Sequence, residues 1–203
     1  MNLSKSLRMK YLLFCLPLFF LAGCSKNYTS EKIGWKITLP GKTWKTIIPK
    51  DNEKAAAKTR EEVEEFIGIK VDGSRVQPLI SLIKNNASSF VSVIETYDHT
   101  SDGLYEQILT EQHRAIKANY VSKNIPAQYE IGASRIGGMM LDWFTIKTYA
   151  HDPEKSPHTR RIFSCLVNKY IFSMIISSDN EKDMETLENV VYSSTFSIKY
   201  QSQ

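Results

Sequence analysis

Three pairs of apolar, β-branched-rich runs, each joined by a short turn signal, constrain this chain more than any other feature. Residues 79–84 and 88–97 flank Asn85-Asn86, residues 128–136 and 139–149 flank Gly137-Gly138, and residues 161–167 and 170–177 flank Asn168-Lys169. Asn and Gly tolerate the positive φ that tight hairpin turns require, so each pair predicts two antiparallel neighbours. In the last run Tyr170, Phe172, Met174 and Ile176 all point one way, the period of a strand with a buried face. An earlier strand is expected where Trp35, Ile37 and Leu39 alternate with Lys36 and Thr38, and Pro40-Gly41 ends it. The sheet predicted from these runs has about six or seven strands.

Three segments carry helical periodicity instead. From Glu53 to about Ile67, Val63, Phe66 and Ile67 share one side, while Glu61, Glu62, Glu64 and Glu65 surround the rest. Ser101 and Asp102 offer capping oxygens to a second helix through about Asn119, in which Leu104, Ile108 and Ala115 form one stripe beside Leu109 and Ile116. Asp179 or Asn180 caps a closing helix carrying Met184, Leu187, Val190 and Val191. A mostly antiparallel sheet of six or seven strands packed with three helices is an α+β sandwich, in which each helix buries its stripe on the sheet.

The N-terminus reads as an address. Lys5, Arg8 and Lys10 precede an apolar run from Tyr11 to Leu21, too short to span a bilayer, and small residues follow. Leu21-Ala22-Gly23-Cys24 resembles the bacterial lipoprotein signal: Leu21, Ala22 and Gly23 suit a signal peptidase, and Cys24 supplies the sulfur for a thioether to diacylglycerol. The competing reading is an ordinary signal peptide with an incidental Cys24. The expected organisation is a signal peptide over 1–23, a lipidated tether over 24–32, one folded domain over 33–198 and a tail over 199–203. Two or more acyl chains hold a protein stably on a membrane, at about 0.8 kcal/mol per buried methylene. Ser25 rather than Asp after the cysteine favours the outer membrane if the cell is Gram-negative.

Cleavage after Gly23 removes three of the 26 basic residues and none of the 22 acidic ones, leaving a mature net charge of +1. No mature segment carries the Lys/Arg stripe that nucleic-acid binding needs, so nucleic acid is not an expected partner. Cys15 leaves with the signal peptide and Cys24 takes the lipid, so Cys165 is the remaining thiol, expected to be buried and inert in its strand.

The order of elements resembles the PsbP-like fold over about residues 33–198. The resemblance rests on Leu39-Pro40 followed by Trp44, Gly137-Gly138 opening a long strand, the Asn168-Lys169 hairpin before an aromatic-rich strand, and a C-terminal helix running into Ser194-Thr195-Phe196. That family includes an extrinsic subunit of the photosystem oxygen-evolving complex, a Ran-binding nuclear import factor and small bacterial envelope lipoproteins. The resemblance therefore implies a binding or assembly module.

Residue patterns for catalysis are missing. His99, His113, His151 and His158 lack the spacing of a helical zinc pair, and His151 and His158 are expected in one solvated loop with Asp152 and Glu154. Gly132-Ala133-Ser134-Arg135-Ile136 starts like a nucleophile elbow but has Ile where the turn needs its second Gly. The carboxylates from Glu61 to Glu65 read as a hydrated helix face. Trp35 and Trp143 fall within strand patterns and belong in the core, whereas Trp44, after a Pro-Gly turn, is a candidate partner contact. The expectation is a non-enzyme with no catalytic residues, metal or cofactor, bound to the membrane through its lipid and to an unidentified envelope protein. A carrier of a small hydrophobic ligand is the alternative, and a hydrolase with a dispersed active site ranks last.

Overall fold

The computed structural model describes residues 26–48, 74–85, 87–149 and 156–197, together with Lys54, Ala57, Glu61 and Glu64, which are helical. The rest of the Glu-rich helix expected over 53–67 lies outside the described residues, as do the signal sequence and Cys24. Ten strands are described: β1 (Asn27–Ser30), β2 (Trp35–Thr38), β3 (Lys45–Ile47), β4 (Val76–Lys84), β5 (Ser88–Thr96), β6 (Ala127–Ile136), β7 (Met139–Thr148), β8 (His158–Val167), β9 (Tyr170–Ser178) and β10 (Thr195–Phe196). Three helices accompany them: α1 (His99–Asp102), α2 (Tyr105–Ser122) and α3 (Glu181–Tyr192).

Seven strands form one antiparallel sheet in the order β3-β4-β5-β9-β8-β7-β6, and β1-β2-β10 form a separate three-stranded sheet. All three expected hairpins are present, and their turns have the predicted backbone: φ is +51° at Asn85, +57° and +89° at Gly137 and Gly138, and +55° at Asn168. The strand read from Trp35 onward is real but belongs to the small sheet. Its partner β1 occupies residues expected to be tether, because the polar run Asn27–Ser30 shows no apolar alternation, yet its backbone pairs with β2 from Asn27↔Thr38 to Ser30↔Trp35.

Buried side chains lie on both faces of the large sheet. Phe163, Cys165 and Val167 of β8 and Phe172, Met174 and Ile176 of β9 join Trp35 and Ile37 of the small sheet and Leu187, Val190 and Val191 of α3 in the main core. Each of those α3 side chains contributes about 1.5–3 kcal/mol by leaving water. Trp35 is fully buried, 4.7 Å between ring centres from Phe172, and its indole N–H donates to Ser194 Oγ at 3.1 Å. On the opposite face, α2 lays Ile116 and Tyr120 on Phe144 and Ile146 of β7.

The start of α2 differs from the sequence expectation. Asp98, not Ser101 or Asp102, caps a single helical turn by accepting the Thr100 N–H, and Gly103 at φ +82° then breaks the helix. Asp102 is committed elsewhere: its carboxylate pairs with the Arg75 guanidinium and accepts the Asp98 N–H. Leu104 therefore precedes α2 in extended conformation with no side-chain cap, and is 63% exposed rather than part of the buried stripe. The buried residues of α2 are Leu109, Ile116 and Tyr120.

Candidate functional site

α2 is seated at its C-terminal half, where Ile116 and Tyr120 meet the sheet. Beside its N-terminal half a groove of about 1270 Å³ opens between the helix and strands β6 and β7. Leu104, just before α2, and Tyr105, Leu109 and His113 of the helix form one wall, and Ile131, Ala133, Arg135, Met140 and Asp142 form the sheet side. Ile131, Ala133 and Arg135 share a face with Met140 and Asp142 because Ala133 pairs with Asp142 and Arg135 with Met140 in the β6–β7 register. Ile131 is 68% and Met140 52% exposed, so with Leu104 they present large apolar side chains to solvent.

Polar groups interrupt this lining. The Tyr105 hydroxyl donates to Asp142 Oδ2 at 3.4 Å, a long contact. Asp142 lies opposite Ser164, whose Oγ is 2.9 Å from Ser173 Oγ, so a polar row crosses the sheet from the groove inward. His113 stacks on Phe144 at 4.3 Å between ring centres. Burial, reinforced by the nearby Lys117 ammonium, holds its imidazole below the usual histidine range, with Asp142 opposing.

Burial pushes the Cys165 thiol up to about 12, with Asp142 adding to the shift, so it is an inert packing residue as its strand position suggested. Trp44 is corrected: it is 8% exposed, packed in the main core, with Lys84 Nζ 5.7 Å from its ring centre. The Pro-Gly turn before it looked like a surface signal, but the ring turns inward and has almost nothing to offer a partner. His99 opens α1, and His151 lies outside the described residues. No three His, Cys, Asp or Glu side chains among the described residues are placed to hold a metal ion. No described helix is long and apolar enough to cross a membrane.

His158 is a second correction. It is not in a solvated loop but opens β8, opposite Thr148, because the strand extends three residues before Arg161. Its Nε2 accepts from Arg160 Nε at 3.1 Å and lies 2.9 Å from Ser177 Oγ, which accepts from the same Arg160 Nε at 3.3 Å, while Arg160 Nη1 donates to the Tyr120 hydroxyl at 3.2 Å. A serine beside a histidine suggests a nucleophile and its base. Here a guanidinium N–H already occupies the same imidazole lone pair, and burial and that guanidinium both hold the pKa below the usual value. The cluster is a clasp that ties Tyr120 of α2 to the sheet.

No residue pattern marks the groove in advance. Ile131 and Met140 occupy ordinary alternating strand positions, and whether α2 covers their face depends on where the helix crosses the sheet. The fold itself has a solved counterpart: the chain is similar to the solution structure of cyanobacterial PsbP (CyanoP) from Synechocystis sp. PCC 6803. The TM-score is 0.50 and the identity 12%, over 85% of this chain and 92% of that one. No family model and no curated protein matches the sequence. At that identity the likeness establishes architecture alone: the domain is a PsbP-like α+β sandwich.

Proposed function

We propose that this protein is a lipid-anchored, non-enzymatic binding module of the bacterial cell envelope, and that the groove beside α2 receives a segment of a protein partner. The groove carries the reading. Its volume of about 1270 Å³ exceeds the roughly 300–1,000 Å³ of an ordinary small-molecule pocket, and it is open along one side. Leu104, Ile131 and Met140 bring three large exposed apolar side chains to one feature, a concentration that marks interaction surfaces on soluble domains. The Leu21-Ala22-Gly23-Cys24 signal supports the anchor, and the bacterial lipoprotein resemblance supports outer-membrane delivery in a Gram-negative cell.

A photo-crosslinking amino acid placed in intact cells at Ile131 or Met140 tests the reading, with Val121, 71% exposed on α2 but absent from the groove lining, as control. The expected result is a discrete protein adduct from positions 131 and 140 that is missing from 121 and depleted in the Cys24→Ala form. Adducts identical at all three positions would defeat the groove assignment. Recovery of lipid in place of protein at 131 and 140 would replace the reading with that of a hydrophobic carrier.

A further inference from the structure

The two edges of the seven-stranded sheet are unlike each other. β3 is three residues long and begins with Lys45, a short charged edge of the kind that resists pairing with another chain. β6 is ten residues long, contains no Pro or Lys, and its register with β7 runs without a bulge from Ala127↔Thr148 to Ile136↔Met139. The two-residue turn Gly137-Gly138 makes Ile136 and Met139 a hydrogen-bonded pair, so residues 134, 132, 130 and 128 bond to β7. Ala127, Tyr129, Ile131, Ala133 and Arg135 then aim their N–H and C=O groups away from the sheet, a ladder with no neighbouring strand among the described residues.

We infer that β6 pairs antiparallel with β6 of a second copy of this chain, with the two-fold axis passing through Gly132. Faces of a continued sheet match only if residues of like parity meet, which places the axis on a residue rather than between two. With the axis on Gly132, Ile131 lies opposite Ala133 and Tyr129 opposite Arg135, an aromatic–cation pair repeated twice. Glu130, already neutralised by Lys147 Nζ at 2.9 Å, lies opposite Ser134. No two like charges face each other in this register. An axis on Ile131 would set Arg135 against Ala127, and one on Ala133 would set Arg135 against Ile131, losing the aromatic pair in both cases.

Gly132 itself favours this register. The Trp143 ring lies where a Cβ on Gly132 would have to go, so the ring leans across the edge strand. Two glycines meeting at the axis leave room for both rings on one face. On the other face, the grooves of the two copies come side by side, because Ile131, Ala133 and Arg135 line each of them. The pairing stands independently of the lipid anchor and of what the groove receives.

Cysteine pairs in the full chain test it. Differently tagged Glu130→Cys and Ser134→Cys chains are co-expressed and oxidised with copper phenanthroline; residues in such a close, non-hydrogen-bonded pair have Cα atoms about 4.5 Å apart, within disulfide range. The mixed-tag dimer should form at least tenfold more efficiently than from Glu130→Cys alone, Ser134→Cys alone, or Gln128→Cys with Ser134→Cys. Adding Ile131→Pro, which removes an outward N–H that β7 does not use, should abolish it, and Ala133→Lys is a second disruptor should the proline variant not fold. Equal yields from every pair, the best yield from Gln128→Cys with Ser134→Cys, or no mixed-tag dimer would each overturn the inference.

Discussion

Replacing Gly137 by alanine separates two costs that a tight turn usually confounds. Gly137 and Gly138 are neighbours in the β6–β7 turn and both have positive φ, +57° and +89°. An L side chain in this region costs about 1–2 kcal/mol wherever it stands. At Gly138 nothing else opposes a Cβ, because no atom beyond its immediate chain neighbours lies within 4 Å of its position. At Gly137 the new carbon would collide with the Ser194 carbonyl oxygen and lie 2.8 Å from Thr195 Cα. That backbone is held in place: Thr195 and Phe196 pair with β2, and the Ser197 N–H donates to the Gly34 carbonyl at 2.8 Å. Overpacking of this kind typically adds about 1–3 kcal/mol. Gly137→Ala should therefore cost about 2–5 kcal/mol and Gly138→Ala only about 1–2, against a total stability of about 5–15 for a domain of ordinary size. Urea unfolding followed by far-UV circular dichroism measures the difference as a shift in midpoint at constant m. Asparagine at each site sharpens the comparison, since Asn tolerates positive φ: Gly138→Asn should recover most of its loss, and Gly137→Asn should not. Values for the two alanine variants within about 0.5 kcal/mol of each other would refute the claim that the small sheet holds its backbone rigidly against this turn.

Three further outcomes are expected. With its thiol at about 12, Cys165 should stay unmodified by a thiol reagent at pH 8 until urea unfolds the chain, and rapid labelling of the native protein would contradict its burial. Burial and Arg160 lower the folded pKa of His158, so the unfolded chain takes up a proton first. Stability is then intact above about pH 6.5 and declines as pH falls below it; His158→Gln should make that decline shallower, leaving the part due to His113, and an unchanged slope in urea titrations would exclude the clasp. Arg161→Met removes donors at 2.7 Å from both the fully buried Thr145 hydroxyl and Glu188 of α3, and should cost about 1–3 kcal/mol in the same unfolding assay; a loss under about 0.5 would show that Thr145 is satisfied without it.

The legible parts of this fold are those decided by neighbours in the chain. Asn85, Gly137-Gly138 and Asn168 announced hairpins because positive φ is a local demand, and the register of each hairpin followed from its turn. Asn180 likewise announced α3, accepting the Asp183 N–H at 3.0 Å. The misread parts are those decided at a distance. Asp102 looked like a cap until Arg75 claimed it, His158 looked like loop until Thr148 paired with it, and Asn27–Ser30 became a strand only because β2 was beside it. Trp44 pointed outward on local grammar and inward on tertiary packing. The groove belongs to the same class, since its walls come from an α2 and a β6–β7 hairpin whose separate patterns contain no trace of the gap between them.

The bond from Trp35 to Ser194 spans 159 residues. The same region is closed by Ser193 Oγ accepting the Thr38 N–H and by β10 completing the small sheet. A chain emerging N-terminus first thus exposes Trp35 early and cannot satisfy its indole until Ser194 has appeared. Non-local closure of this kind is slow. The small sheet is a lock that turns only once Thr195 and Phe196 are in place, so a product stopped short of Ser194 leaves the Trp35 ring unsealed in the core.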